Sequence, residues 1–250
     1  MTETHPLSAD LRQKLLACDP ASLSNALLKR GLRNTFLVGL LPVSADQPRL
    51  VGPAFTLRFI PAREDLDTMA LYATDESLHR RAIEECPPGA VLVMATGGDV
   101  RASSMGDMMA LRLAVRGVAG VVTDGGFRDT PGIAATGLPC FQRMPSGPAT
   151  PITLSPVAFN DPVGCAGVAV YPGDIIVADA SGAVVIPAHL AEEIADEVNS
   201  AGDYEEFAAA HVRAGRSLFG LFPATDDSRR EFDAWVSAGR PEIHQQETMT

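Results

Sequence analysis

Lysine is nearly missing from this chain: Lys14 and Lys29 are the only two among 250 residues. A Schiff-base mechanism would need one of them buried and desolvated in the site, so carbonyl chemistry here points to a metal instead. Cysteine is sparse as well. Cys18, Cys86, Cys140 and Cys165 form no C-x-x-C pair, which removes the sequence basis for a zinc finger or a disulfide framework and suits free thiols in a cytoplasm. The five histidines, His5, His79, His189, His211 and His244, include no i, i+4 pair and no H-E-x-x-H, so a zinc hydrolase is not indicated. No G-x-S-x-G elbow is present either, which argues against a covalent hydrolase. Basic charge is short: 20 Lys and Arg face 31 Asp and Glu, for a net charge of −11, a field that repels a phosphate backbone. Nucleic acid is therefore not an expected ligand. No uninterrupted apolar run approaches the roughly 18 residues of a membrane span, and Met1-Thr-Glu-Thr-His-Pro6 lacks a basic-then-apolar signal pattern.

What is present is the balance of a soluble globular protein, 46% apolar and 20% charged, with enough chain to bury a large core. Two short helices fit residues 8–31, with Gly31 as the stop. The alternating run Leu50–Ile60 reads as a strand, and 66–85 reads as one helix broken by Pro87-Pro88-Gly89. The apolar run 90–95, the helical stretch 107–116 closed by Gly117, and the strand 120–123 form a βαβ unit, followed by a turn at Gly125-Gly126. Beyond Pro172-Gly173 come strands near 175–177 and 182–186, a helix over 188–200, two helical stretches within 203–240, and a polar, frayed tail. The expectation is an α/β domain over residues 1–202 with a helical extension over 203–250, packed on that domain or on a neighbouring subunit.

In parallel units, ligands gather at the carboxyl ends of the strands. The loop Gly97–Asp107 falls there and enters a helix, so the amides of Asp107, Met108 and Met109 are expected to point into the crevice and attract an anion. The glycines could equally serve only to turn the chain, with Asp107 complementing the helix dipole. Asp107, twenty intervening residues, then Arg128 and Asp129 is the spacing of one helix plus one strand, which brings all three to one crevice. Two carboxylates and a guanidinium could hold a hard divalent cation and grip a carboxylate or enolate. Asp129, ahead of Thr130-Pro131, could instead simply cap a helix.

These residues resemble the RraA-like family, which includes the 4-hydroxy-4-methyl-2-oxoglutarate aldolases. The family's G-x-x-x-[DE]-x20-R-D pattern is met at Asp107, Arg128 and Asp129, whereas Ser103 stands at the leading glycine. Ser24-Asn25-Ala26-Leu27, Gly52–Thr56, Pro172–Asp174 and Asp179-x-x-Gly182 through Pro187 support it, so the similarity runs over about residues 22–200. The resemblance implies a swivelling β/β/α-type fold and a homotrimer or homohexamer with sites at subunit interfaces. It implies a class II pyruvate aldolase that cleaves a 4-hydroxy-2-oxo acid to pyruvate and a carbonyl compound, with oxaloacetate decarboxylase side activity. Asp129 would hold Mg2+ or Mn2+, Asp107 would order metal-bound waters, and Arg128 would contact the pyruvyl oxygen. Gly106, Asp107, Met108 and Met109 would receive the substrate carboxylate, and Glu205 or Glu206 of a neighbour could complete the metal shell. Some relatives are instead regulators that bind a ribonuclease, and an acidic surface suits docking to a basic partner.

Overall fold

The computed structural model describes residues 7–243. His5 and His244 lie outside the described residues. The chain forms two compact units, Met1–Ala195 and Asp196–Thr250.

Most of the first unit is built on one sheet. Its strands are β1 (Phe36–Leu37), β2 (Leu41–Pro42), β3 (Leu50–Pro61), β4 (Val91–Ala95), β5 (Ser103–Met105), β6 (Gly120–Thr123), β7 (Gly126–Phe127), β8 (Cys140–Gln142), β9 (Leu154–Phe159), β10 (Val163–Cys165), β11 (Val168–Val170), β12 (Ile175–Asp179) and β13 (Gly182–Ile186). Its helices are α1 (Ala9–Ala17), α2 (Pro20–Lys29), α3 (Met69–Tyr72), α4 (Leu78–Glu85), α5 (Asp107–Val115) and α6 (Thr130–Ala135). The main sheet runs β1-β13-β12-β3-β4-β6-β8-β2, with β9 also paired to β3. Within it β3, β4, β6 and β8 are mutually parallel, and β4 meets β6 in the register Val91↔Gly120 to Met94↔Thr123. The βαβ unit expected from the sequence is thus β4-α5-β6, and β6-α6-β8 repeats it.

Parallel strands are covered on both faces, so β4 is apolar at every position and wholly buried. On one face Leu92, Met94 and Val121 pack with Ala110 and Leu113 of α5, Ile133 of α6 and Ile83 of α4. On the other, Val91, Val93, Val122 and Phe141 pack against the β10–β11 hairpin through Val163, Cys165 and Val168. All four cysteines are buried and none forms a disulfide among the described residues, as the spacing predicts. Burial pushes the Cys86 thiol up to about 12 and the Cys140 and Cys165 thiols up as well, so none of these three is a ready thiolate.

Three expectations need correction. The helix read over 66–85 is two helices, α3 and α4, separated by the turn 73–77. The loop Gly97–Asp107 is interrupted by β5, which pairs in parallel with β7, so Gly126 belongs to a strand rather than to a turn. The helix read over 188–200 opens as a 3-10 turn at Ala188–Leu190 and continues as α7 (Ala191–Arg213). Within the second unit, α8 (Asp226–Ser237) begins in a capping box between Thr225 and Ser228. Phe207 and Leu221 are buried there with Tyr204, Phe232 and Trp235 around them. None of the helices among the described residues is long and apolar enough to cross a membrane.

Candidate active site

The β5–β7 pairing sets the site. Ser103 lies opposite Gly126 and Met105 opposite Phe127, and the Arg128 N–H donates to the Met105 carbonyl at 3.0 Å. The strand carrying Gly106 and Asp107 into α5 therefore runs beside the strand carrying Arg128 and Asp129 into α6. Gly106 is the point of closest approach: a Cβ there would stand 3.2 Å from Asp129 Oδ2 and 3.3 Å from Arg128 Cγ. Across the same mouth, Asp107 lies over Gly132 in the first turn of α6, where a Cβ would come within 2.8 Å of Asp107 Oδ2. Gly106, Asp107, Arg128 and Asp129 are thus gathered at the abutting N-termini of α5 and α6.

Asp129 holds the N-cap position of α6, with Pro131 in the first turn, yet its side chain makes no capping hydrogen bond. Its backbone is left-handed, φ 54° and ψ 38°, a conformation that costs most L-residues about 1–2 kcal/mol and that Asp and Asn tolerate best. The carboxylate is turned instead onto Arg128, whose Nε donates to Oδ2 at 2.8 Å. Asp129, by hydrogen bond first and by charge second, raises the Arg128 pKa above the usual arginine range, and Tyr72 and Asp107 add smaller contributions of the same sign.

The helix-terminus expectation needs one amendment. The Met108 N–H is not free: Asp107 Oδ1 accepts from it at 2.7 Å. The first regular bond of α5 runs from the Ala110 N–H to the Gly106 carbonyl, so the Met109 amide precedes the helical ladder. Met108 itself is exposed, and Met109 is half-buried against the core.

Sequence reasoning missed Tyr72. This residue ends α3, and its phenol and Arg128 influence each other electrostatically; burial raises the phenol's pKa, and Thr150, Arg80 and Arg128 pull it back. It lines a cavity of about 180 Å³ with Thr68, Ser77 and Pro151. Tyr72 lies fifty-six positions before Arg128 on a segment read as one continuous helix, and no local pattern marks it. Glu205 and Glu206 lie exposed on α7, in the second unit.

Among the described residues, no group of three or more His, Cys, Asp or Glu side chains is arranged to hold a metal. Asp107 and Asp129 nevertheless fit a hard cation: both are oxygen donors, and Mg2+ is commonly bound through one or two carboxylates with waters and substrate oxygens completing the shell.

The sequence matches the family model RraA-like: Aldolase/RraA over residues 20–185. The chain belongs to the RraA-like family. It is 28% identical over 217 residues to the protein DlpA of Legionella pneumophila, matching 84% of this chain and 32% of that protein. Over 146 residues it is 33% identical to a protein of Halalkalibacterium halodurans that carries the provisional name 4-hydroxy-4-methyl-2-oxoglutarate aldolase, matching 57% of this chain and 61% of that one. The chain thus spans less than two thirds of either relative. Among solved structures, Streptomyces coelicolor RraAS2, described as an unusual member of the RNase ES inhibitor RraA protein family, superposes with a TM-score of 0.72 at 33% identity. That match covers 82% of this chain and 98% of the other.

Proposed function

We propose that this protein is a divalent-metal-dependent carbon–carbon lyase that cleaves a 4-hydroxy-2-oxo acid to pyruvate and a carbonyl compound and also decarboxylates oxaloacetate. The observation that carries the reading is the close approach of Gly106, Asp107, Arg128 and the strained, non-capping Asp129 at one helix-terminal mouth. Asp129, with Asp107, would hold Mg2+ or Mn2+. When bound, the ion supplies Lewis-acid polarisation of the 2-oxo group.

Cleavage removes the proton of the 4-hydroxyl, breaks the C3–C4 bond and leaves its electron pair as the enolate of pyruvate, which is then protonated at C3. Decarboxylation of oxaloacetate leaves the same enolate, so one stabilising arrangement serves both. Arg128 offers its two terminal nitrogens to the C2 oxygen, because its Nε is already engaged with Asp129. A preorganised donor of this kind is worth about 2.7–4 kcal/mol of barrier. The substrate carboxylate is received at the amides of Met108 and Met109 beside Gly106; to take the first, it displaces Asp107 Oδ1 from the Met108 N–H. Asp107 so released orders the water that accepts the 4-hydroxyl proton.

The active protein is proposed to be a homo-oligomer, a trimer or hexamer, located in the cytoplasm, with residues 203–250 as a helical extension of a catalytic domain over 1–202. The full chain, purified and supplied with Mg2+ or Mn2+, is expected to release pyruvate from 4-hydroxy-4-methyl-2-oxoglutarate and from oxaloacetate. No release from either sinks the lyase reading. The likeness to RraAS2 and the net charge of −11 favour one alternative, a non-catalytic regulator docked on a basic ribonuclease surface. Stoichiometric inhibition of a ribonuclease by a preparation that releases no pyruvate is the result that would replace the first reading with the second.

A further inference from the structure

The carboxyl ends of the parallel strands carry a second concavity, on the sheet face opposite α5 and α6. It is a cleft of about 500 Å³ between the turn Gly97-Gly98 and the β10–β11 hairpin, with Arg143 on its wall and Gly164, Gly167 and Ala169 on its hairpin side. The cleft is fixed by Asp124, which is buried at 3% exposure. Asp124 Oδ1 accepts from the Thr96 N–H at 2.7 Å and the Thr96 hydroxyl at 3.0 Å, and Oδ2 accepts from the Ala166 N–H at 3.1 Å. One carboxylate therefore ties the strand end before Gly97 to the tip of the hairpin. Ala166 is held there in the left-handed region, φ 47°. The three donors satisfy Asp124 and leave Arg143 out of the network.

Arg143 follows β8, and its N–H donates to the Gly125 carbonyl at 2.9 Å, which fixes its backbone at the cleft. Its guanidinium lies against the turn: a Cβ on Gly98, whose φ is +79°, would stand 2.8 Å from a terminal nitrogen. In a chain with eleven more acidic than basic residues, this guanidinium forms no ion pair and no side-chain hydrogen bond among the described residues. A free planar fork beside small glycine and alanine residues matches a ligand with one carboxylate and a small body. A phosphate dianion would add a second charge close to the buried Asp124 carboxylate, which disfavours it.

We propose that this cleft is a binding site for a small monocarboxylate, gripped by Arg143 beside Gly97-Gly98, with its carbon chain along Gly164, Gly167 and Ala169 of the hairpin. The site stands apart from the proposed lyase centre and does not depend on it. Sodium butyrate is a suitable probe, because it has no oxo or hydroxyl group to cleave. In a titration of the isotopically labelled full chain at constant ionic strength, the amide signals of Gly97, Gly98, Gly164 and Gly167 should shift and saturate. Arg143→Gln should weaken that binding at least tenfold, and Arg143→Lys, which keeps the charge without the fork, should weaken it less. Arg128→Gln should leave it as in the wild type, which separates this site from the crevice at Asp107. Sodium phosphate at equal concentration should not shift these signals. Wild-type affinity in the folded Arg143→Gln protein, shifts confined to residues 107–109 and 128–129, or a response to phosphate without one to butyrate would each overturn the assignment.

Discussion

Arg128 enters the crevice already oriented, since Asp129 takes its Nε and leaves the terminal nitrogens as a fork. Arg128→Lys keeps the charge and loses that geometry, so pyruvate release should fall by about 10²–10³-fold. Because the side chain is about half exposed, thermal melting should register no more than about 0.5 kcal/mol. Asp129 separates two properties that usually travel together. Asp129→Asn retains a residue at ease in the left-handed region and should lose metal dependence with stability near that of the wild type. Asp129→Ala should lose the same activity and, in addition, about 1 kcal/mol of stability, because alanine carries the backbone cost without relief. Calorimetry of the two variants beside a manganese titration of their turnover distinguishes the carboxylate's chemistry from its backbone's strain. The grouping of Asp107, Arg128 and Asp129 was legible because one helix plus one strand of intervening chain is a length constraint that sequence states directly. The bond from the Met108 N–H to Asp107 was not, because a rotamer choice between capping an amide and facing a ligand leaves no trace in spacing.

At the scale of elements, the punctuation was legible and the interior of the segments less so. Gly31 and Gly117 adopt positive φ after α2 and α5, and Pro87-Pro88-Gly89 separates α4 from β4, as their chemistry requires. The segment 66–85 read as one helix because its breaker, the turn after Tyr72, contains neither glycine nor proline: Thr68 and Ser77 occupy the N-cap positions of α3 and α4. On α4, His79 joins Ala82 and Ile83 on the buried face, with its ring edge-on to Phe59 at 5.4 Å. His79 is thus a residue of the core. Among the described residues, neither ring nitrogen has a partner in regular hydrogen-bond geometry. Burial lowers its pKa from 6.5 to about 4, against a smaller opposing pull from the Ser104 backbone. The folded state therefore binds fewer protons than the unfolded chain between those values, and its contribution to stability is lost as pH falls from 6.5 towards 4. The loss amounts to about 3 kcal/mol across that window. Denaturant melts at pH 7 and pH 4.5 should show it, and His79→Phe, which keeps the aromatic packing, should flatten the dependence. An equal pH slope in that variant would assign the acid sensitivity to other groups.

At the scale of the whole molecule, the parallel sheet carries the Asp107, Arg128 and Asp129 group and the Arg143 cleft at its carboxyl end, one on each face, and sequence periodicity located that end without distinguishing the faces. Met108, Leu111 and Val115 form an exposed apolar stripe on α5, immediately after the proposed substrate-binding amides. Under the proposed homo-oligomer, this stripe is the expected contact with a second copy of the chain. Sedimentation at micromolar concentration should give an oligomer, and Val115→Glu, at a position 71% exposed, should dissociate it without unfolding the chain. Asp107, Arg128 and Asp129 are proposed to form a metal-dependent lyase centre. Its most direct test is pyruvate release from 4-hydroxy-4-methyl-2-oxoglutarate by the wild-type chain and by Asp129→Asn, across a Mn2+ titration. Saturable, metal-dependent release in the wild type and none above background in the variant is the predicted result. Equal release by the two proteins, or none by the wild type at any metal concentration, would contradict it.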